Sequence, residues 1–224
     1  SKGFTVNLYL EDWSSGMRDS RDYLFMMMDE LVKLPIKRFL LPDTLGILNP
    51  LQCVEYMRQM VRRYPNSHFD FHAHNDYDLA VSNSLAAVLS GAKGLHVTVN
   101  GLGERCGNAP LASVQVILKD MFEAKTNIKE DRLNDISRLV EGYSGIAVAP
   151  NTPVVGDNVF TQVAGVHADG DNKDKLYCND LVPERFGRHR EYALGKNSGK
   201  ANIVQNLNEL GLELTPEQTK AVTK

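Results

Sequence analysis

HFDFHAHNDYDLAVSNSLAAVLSGAKGLHVTVN, residues 68–100, decides the fold. His68–His74 alternates: Asp70, His72 and His74 fall on one side and Phe69 and Phe71 on the other, the period of a pleated strand. Val81, Leu85, Val88 and Leu89 then recur at helical spacing, and Gly91 stops the helix. Leu95–Val99 is a strand again, with His96, Thr98 and the following Asn100 opposed to Val97 and Val99. Two strands with one helix between them form the unit of a parallel sheet.

The same rhythm extends both ways. Upstream, Phe4–Leu10 is a strand with Asn7, Tyr9 and Glu11 opposed to Val6, Leu8 and Leu10. Ser20 caps a helix carrying Leu24, Met27, Met28 and Leu31, and Arg38–Leu41 is a short strand ending at Pro42. Asn49-Pro50 starts the next helix as N-cap and first residue, with Val54, Met57 and Val61 inward. Downstream, a glycine-rich loop leads to a helix marked by Val114, Ile117 and Met121. A doubly wound sheet is covered by helices on both faces and is apolar on both. Here three strands keep one polar face, and the polar residues Glu11, Thr44, His72, His74 and Asn100 gather at strand C-termini. That pattern belongs to a (β/α)8 TIM barrel, whose interior opens at the C-terminal mouth. The predicted class is α/β, with four of the eight strands in residues 1–144. Residues 145–224 are predicted to be a small irregular and helical linker subdomain. Gly145–Arg190 is rich in Gly, Pro, Asn and Asp; Ala201–Leu210 is helical, and Thr215-Pro-Glu-Gln218 opens a last helix with a capping box.

Composition narrows the class. The 224 residues are 42% hydrophobic and 24% charged, enough to bury a core. Lys+Arg 25 against Asp+Glu 28 gives a net charge of −3, which excludes a generally basic nucleic-acid binder. No apolar run is long enough to span a bilayer and no leader is visible, so a cytoplasmic protein without membrane partners is expected. Cys53, Cys106 and Cys178, odd in number and far apart, argue against a disulfide framework and a cysteine zinc site.

His72-Ala-His74 is the sharpest motif. Two imidazoles on one strand face suit a divalent metal; the alternative is a hydrogen-bonded pair in the core. Asn75, Asp76 and Asn100 are polar neighbours, with Asp76 read as a cap of the following helix. Glu11 is an acid/base candidate or a solvated strand end, and Thr44 a carboxylate donor or a turn residue. Gly101-Leu-Gly-Glu-Arg-Cys-Gly107 is one residue too long for a dinucleotide fingerprint and reads as a tight loop, with Glu104 and Arg105 paired and Cys106 a buried filler. Gly195–Lys200 lacks a spacer and the hydroxyl residue of a phosphate loop. His68, His189, His167 and Tyr177 carry no spacing signal by themselves.

The run from His72 to Gly91 and the run Val99-Asn-Gly-Leu-Gly-Glu-Arg-Cys-Gly-Asn-Ala109 together resemble the 2-isopropylmalate synthase family, which includes citramalate and homocitrate synthases. Leu10-Glu-Asp12, Pro42–Gly46, Gly165–Gly170 and Leu194–Lys200 extend the likeness over essentially the whole chain. The resemblance implies that residues 1–144 are strands five to eight of a catalytic barrel. The Arg-Asp pair that family members carry on the first strand does not occur here, so the chain is expected to need the other half to close its barrel. By resemblance, His72, His74 and Asn100 hold a divalent metal (Zn, Mn or Mg), and Glu11 is a catalytic acid. Thr44 and Tyr9 face the 2-oxo acid, where a bulky Tyr9 favours pyruvate. His167 helps deprotonate acetyl-CoA, and Asp169 and Tyr177 lie near its CoA end. The implied partners are acetyl-CoA, a small 2-oxo acid and a second subunit, with the linker subdomain crossing to the partner barrel. A lyase of the same superfamily and an inactive truncated chain are the alternatives.

Overall fold

The computed structural model describes residues 3–162 and 179–193, with scattered positions from 203 onward. Contacts divide the chain into Ser1–Thr126 and Asn127–Lys224, so the helix Leu133–Ser144 groups with the second unit.

The first unit is a parallel sheet of β1 (Val6–Tyr9), β2 (Ile36–Asp43), β3 (Phe69–Ala73) and β4 (Gly94–His96). Its strand order is β1-β2-β3-β4. A doubly wound sheet reverses direction at a switch point; this order never reverses, as in a barrel. Helices α1 (Trp13–Asp19) and α2 (Arg21–Leu31) join β1 to β2, α3 (Pro50–Arg63) joins β2 to β3, α4 (Ala80–Leu89) joins β3 to β4, and α5 (Leu111–Phe122) follows.

The register confirms the two faces. Leu8 pairs with Phe39, Phe39 with Phe69 and Leu41 with Phe71, and these residues pack on the helices. Tyr9, Leu40, Asp70 and Gly94 form one row of the other face; Pro42, His72 and His96 form the next. Strands lie about 4.8 Å apart, so in a flat sheet β1 and β4 would stand roughly 14 Å apart. Yet the Tyr9 hydroxyl is 2.7 Å from His96 Nδ1. The polar face is therefore concave, and its side chains converge.

Several elements depart from the sequence expectation. β2 continues through Pro42, because Leu10 N–H already donates to the Leu40 carbonyl at the end of β1. Two residues on, Pro42 points its missing N–H where no ladder remains. β4 stops at His96 instead of Val99; Val99–Gly101 is a 3₁₀ turn with Asn100 in the left-handed region at φ 58°. The short α1 was not foreseen. Its Trp13 is fully buried, edge-on to Tyr56 and Phe71. Ser20 sits at the N-cap of α2 but its side chain caps nothing. Asn49 does cap α3: its side chain accepts from Gln52 N–H, and the Gln52 side chain accepts from Asn49 N–H.

The second unit holds α6 (Leu133–Ser144) and the parallel pair β5 (Thr161–Gln162) and β6 (Glu191–Tyr192). Arginines do much of the joining within it. Arg185 forks onto buried Glu130 at 3.0 and 3.1 Å. Arg188 donates to the Gly156 and Asp157 carbonyls and lies over Phe160, which stacks on Phe186. Thr215 and Gln218 exchange the two hydrogen bonds of the expected capping box.

Candidate active site

The candidate site lies at the C-terminal ends of the four parallel strands. β3 delivers His72 and His74 to its concave face, rings perpendicular with centroids 5.0 Å apart. Their Nε2 atoms face each other at 3.3 Å, and both Nδ1 atoms are buried without a hydrogen-bond partner. Two nitrogens each about 2.1 Å from one ion can hold that separation. Burial, then His74 and His96, pushes His72 down to about 4, while Glu11 opposes the shift. His72 is therefore neutral at pH 7, the form that ligates a metal. The pair fits half a metal site: among the described residues, no cluster of three or more His, Cys, Asp or Glu could hold an ion.

Beside the pair, the Thr44 hydroxyl accepts from Asp12 N–H (3.0 Å) and donates to Glu11 (2.8 Å). The expected carboxylate donor is thus engaged with the expected acid. Half-buried Asn100 sits in the turn after β4. Half-exposed Tyr9 rises from β1 and donates to His96. His167, Asp169 and Tyr177 lie outside the described residues.

The loops are stitched by Arg105. Its guanidinium takes both oxygens of Asp76, at 2.7 and 3.0 Å, and the Thr44 carbonyl at 2.7 Å. That joins the loops after β2, β3 and β4. Asp76 is therefore an arginine partner, not a helix cap; the Asn75 side chain accepts Ala80 N–H instead. Glu104 stands 3.7 Å from Arg105 and is the weaker partner. Cys106 is exposed, not a filler, because the tight loop turns its backbone inward. Asn108 N–H donates to the Gly101 carbonyl, and a Cβ on Gly107 (φ 81°) would come within 2.0 Å of that oxygen. Glycine is required there for the close approach.

Sequence reasoning missed Asp70. Its carboxylate is 1% exposed and holds His68 Nε2 at 2.8 Å, Arg38 at 3.4 Å and His96 Nε2 at 3.4 Å. Its parity placed it on the polar face; its partners are His68, two residues before it, and Arg38 and His96 on the neighbouring strands.

The sequence profile of the HMGL-like family matches residues 5–140. The chain belongs to the HMGL-like family. A second profile, homocitrate synthase post-HMGL domain-like, matches residues 154–224. Among similar proteins, one from Methanopyrus kandleri named a 2-isopropylmalate synthase is 38% identical over 99% of this chain and 44% of its own length. Another from the same organism, named an (R)-citramalate synthase, is 37% identical over 96% of this chain and 42% of its own. The chain thus spans less than half the length of these relatives. The solved hydroxymethylglutaryl-CoA lyase of Pseudomonas aeruginosa superposes with a TM-score of 0.53 at 20% identity, covering 59% of this HMGL-like chain and 45% of that one. The HMGL-like fold is an α/β TIM barrel, and four of its strands are present here. Among the described residues, no helix is long and apolar enough to cross a membrane.

Proposed function

We propose that this HMGL-like chain supplies the second half of the catalytic barrel, residues 1–144, and the linker subdomain, 145–224, of a cytoplasmic synthase that condenses acetyl-CoA with a 2-oxo acid. The observation that carries the reading is the His72–His74 pair, its two Nε2 atoms facing each other at the strand ends beside Glu11, with His72 held neutral. His72, His74 and Asn100 are the chain's ligands for Zn, Mn or Mg. When bound, the cation polarises the ketone and holds the oxo acid. Thr44 keeps Glu11 in place in the free chain, and its single hydroxyl proton turns to the carboxylate when the 2-oxo acid binds. Glu11 holds or delivers a proton beside the reacting carbonyl. His167, crossing from a partner subunit in a homodimer, takes a proton from the acetyl methyl, and Asp169 and Tyr177 contact the CoA end. The enolate carbon then bonds to the keto carbon. Water cleaves the thioester, giving a 2-hydroxy diacid and free CoA.

The first reading of the oxo acid is 2-oxoisovalerate, with 2-isopropylmalate as product. Tyr9 favours a second reading: a fixed aromatic ring at the site suits pyruvate and a citramalate product. The names of the two relatives divide the same way at 38% and 37% identity, so likeness does not choose between them. The test uses the enzyme at its full natural length with acetyl-CoA and divalent metal, following the free CoA thiol. Release with either oxo acid supports a condensing synthase, and the preferred acid names it. Release with neither overturns the reading and favours a lyase or an inactive chain.

A further inference from the structure

The concave face holds a row of contacts that the proposed mechanism does not use, a hydrogen bond from Tyr9 to His96 and an ion-pair contact from His96 to Asp70. Tyr9 O–H lies 2.7 Å from His96 Nδ1, with the rings edge-on at 5.7 Å. His96 Nε2 lies 3.4 Å from Asp70 Oδ2, and the His96 ring stands edge-on to His72 at 6.0 Å. The carboxylate is fixed from two other sides, by His68 and Arg38. The backbone makes room for it: a Cβ on Gly94, its neighbour in the register, would fall 2.3 Å from Asp70 Oδ1. A carboxylate at Nε2 makes that nitrogen the donor and leaves Nδ1 as acceptor, so the tyrosine hydroxyl is the donor in its bond. A tyrosine facing an open pocket would ordinarily sample several rotamers. This one is tethered at its tip to a buried anion through one imidazole.

We infer that His96, anchored on Asp70, is a positioning and specificity-determining residue: it locks the Tyr9 ring as a fixed wall of the oxo-acid pocket. The inference rests on the proposed condensation and goes beyond it. Tyr9 selects by being held, and the residue that holds it lies three strands away. A mobile ring yields to a branched alkyl group; a tethered one does not. One or two methylenes against such a wall are worth about 10- to 200-fold in specificity.

The test is the ratio of kcat/KM for pyruvate over 2-oxoisovalerate, measured on the full-length, metal-loaded enzyme. Tyr9→Phe removes only the tethering hydroxyl, and His96→Leu removes the tether from the other end. Each is expected to lower the ratio about tenfold, with kcat for pyruvate changed less than the ratio. Their combination is expected to lower it no further, because both break one link. His96→Gln, which keeps a donor and an acceptor, is expected to restore the ratio to within about threefold. An unchanged ratio in Tyr9→Phe, or single effects that multiply in the double variant, overturns the inference. If His96→Leu does not fold, Tyr9→Phe and His96→Gln still decide it. A wild-type enzyme that releases CoA with no oxo acid brings down the functional reading first, before any variant is compared.

Discussion

His68 and His96 share the concave face with His72 and His74, yet the two pairs are built in opposite ways. Asp70 takes Nε2 of both His68 and His96, and Tyr9 takes Nδ1 of His96. The other pair turns its Nε2 atoms toward each other and buries both Nδ1 atoms unpartnered. An unsatisfied buried polar atom costs about 1–3 kcal/mol, so a fold rarely leaves two side by side. The satisfied pair is scaffold. The other pair aims both Nε2 atoms at one point, the arrangement with which two imidazoles take a cation.

The largest expected effect breaks this comparison directly. His74→Ala should weaken binding of zinc or manganese by more than about 100-fold, since losing even an outer partner of a ligand costs about 10- to 100-fold. It should leave the melting temperature nearly unchanged. His68→Ala should do the reverse: cation binding within threefold of wild type, and a stability loss of about 1–2 kcal/mol. Equilibrium dialysis and thermal melts on the full-length enzyme read both. Equal loss of the cation in the two variants would erase the distinction.

The next effect sharpens the scaffold side. Asp70→Asn removes a buried charge from between Arg38, His68 and His96, and should cost about 3 kcal/mol in urea unfolding. Gly94→Ala pushes a methyl into the same carboxylate and should cost about 1–3 kcal/mol. If the glycine is there to admit Asp70, then Gly94→Ala added to Asp70→Ala should cost clearly less than the two separately. Additive losses would mean that Gly94 serves another purpose.

Much of this was legible in the residues. Period two assigned Leu8, Phe69 and Phe71 to the apolar face and Tyr9, Asp70, His72 and His96 to the polar one, because a buried strand face leaves its mark every second position. Asn49 and Thr215 showed as caps, because capping is local. What escaped was not local. The helix Trp13–Asp19 is seven residues long, and its buried stripe rests on two large side chains, Trp13 and Met17, too few to read as a period. The stop of β4 at His96 depends on the left-handed Asn100 turn and the loop that closes on it. Asp70 and Arg38 are separated by 32 residues and meet only when β2 and β3 pair. The sequence also cannot tell a satisfied imidazole from an unsatisfied one, and that difference separates the two pairs.

Arg105 tests the comparison at the rim, where the expected effect is smallest. Like Asp70, it is one charge holding three elements, but it is partly exposed, and surface ion pairs contribute little. Arg105 lowers the Asp76 carboxyl below its ordinary value. The pair therefore contributes fully above the ordinary carboxylate value near 3.8 and fades only as pH falls through the lower folded one. Between pH 5 and 8 the lock is constant, so a pH dependence in that window does not arise from this ion pair. Arg105→Ala should leave stability nearly unchanged, since exposed ion pairs contribute little. It also frees the Thr44 carbonyl, and with it the turn that presents the Thr44 hydroxyl to Glu11. A drop of about tenfold in kcat/KM, partly recovered in Arg105→Lys and unchanged across pH 5 to 8, would show that precision at the mouth depends on the rim as well as on the buried carboxylate. Unaltered kinetics would confine that precision to the interior face, where Asp70 alone sets it.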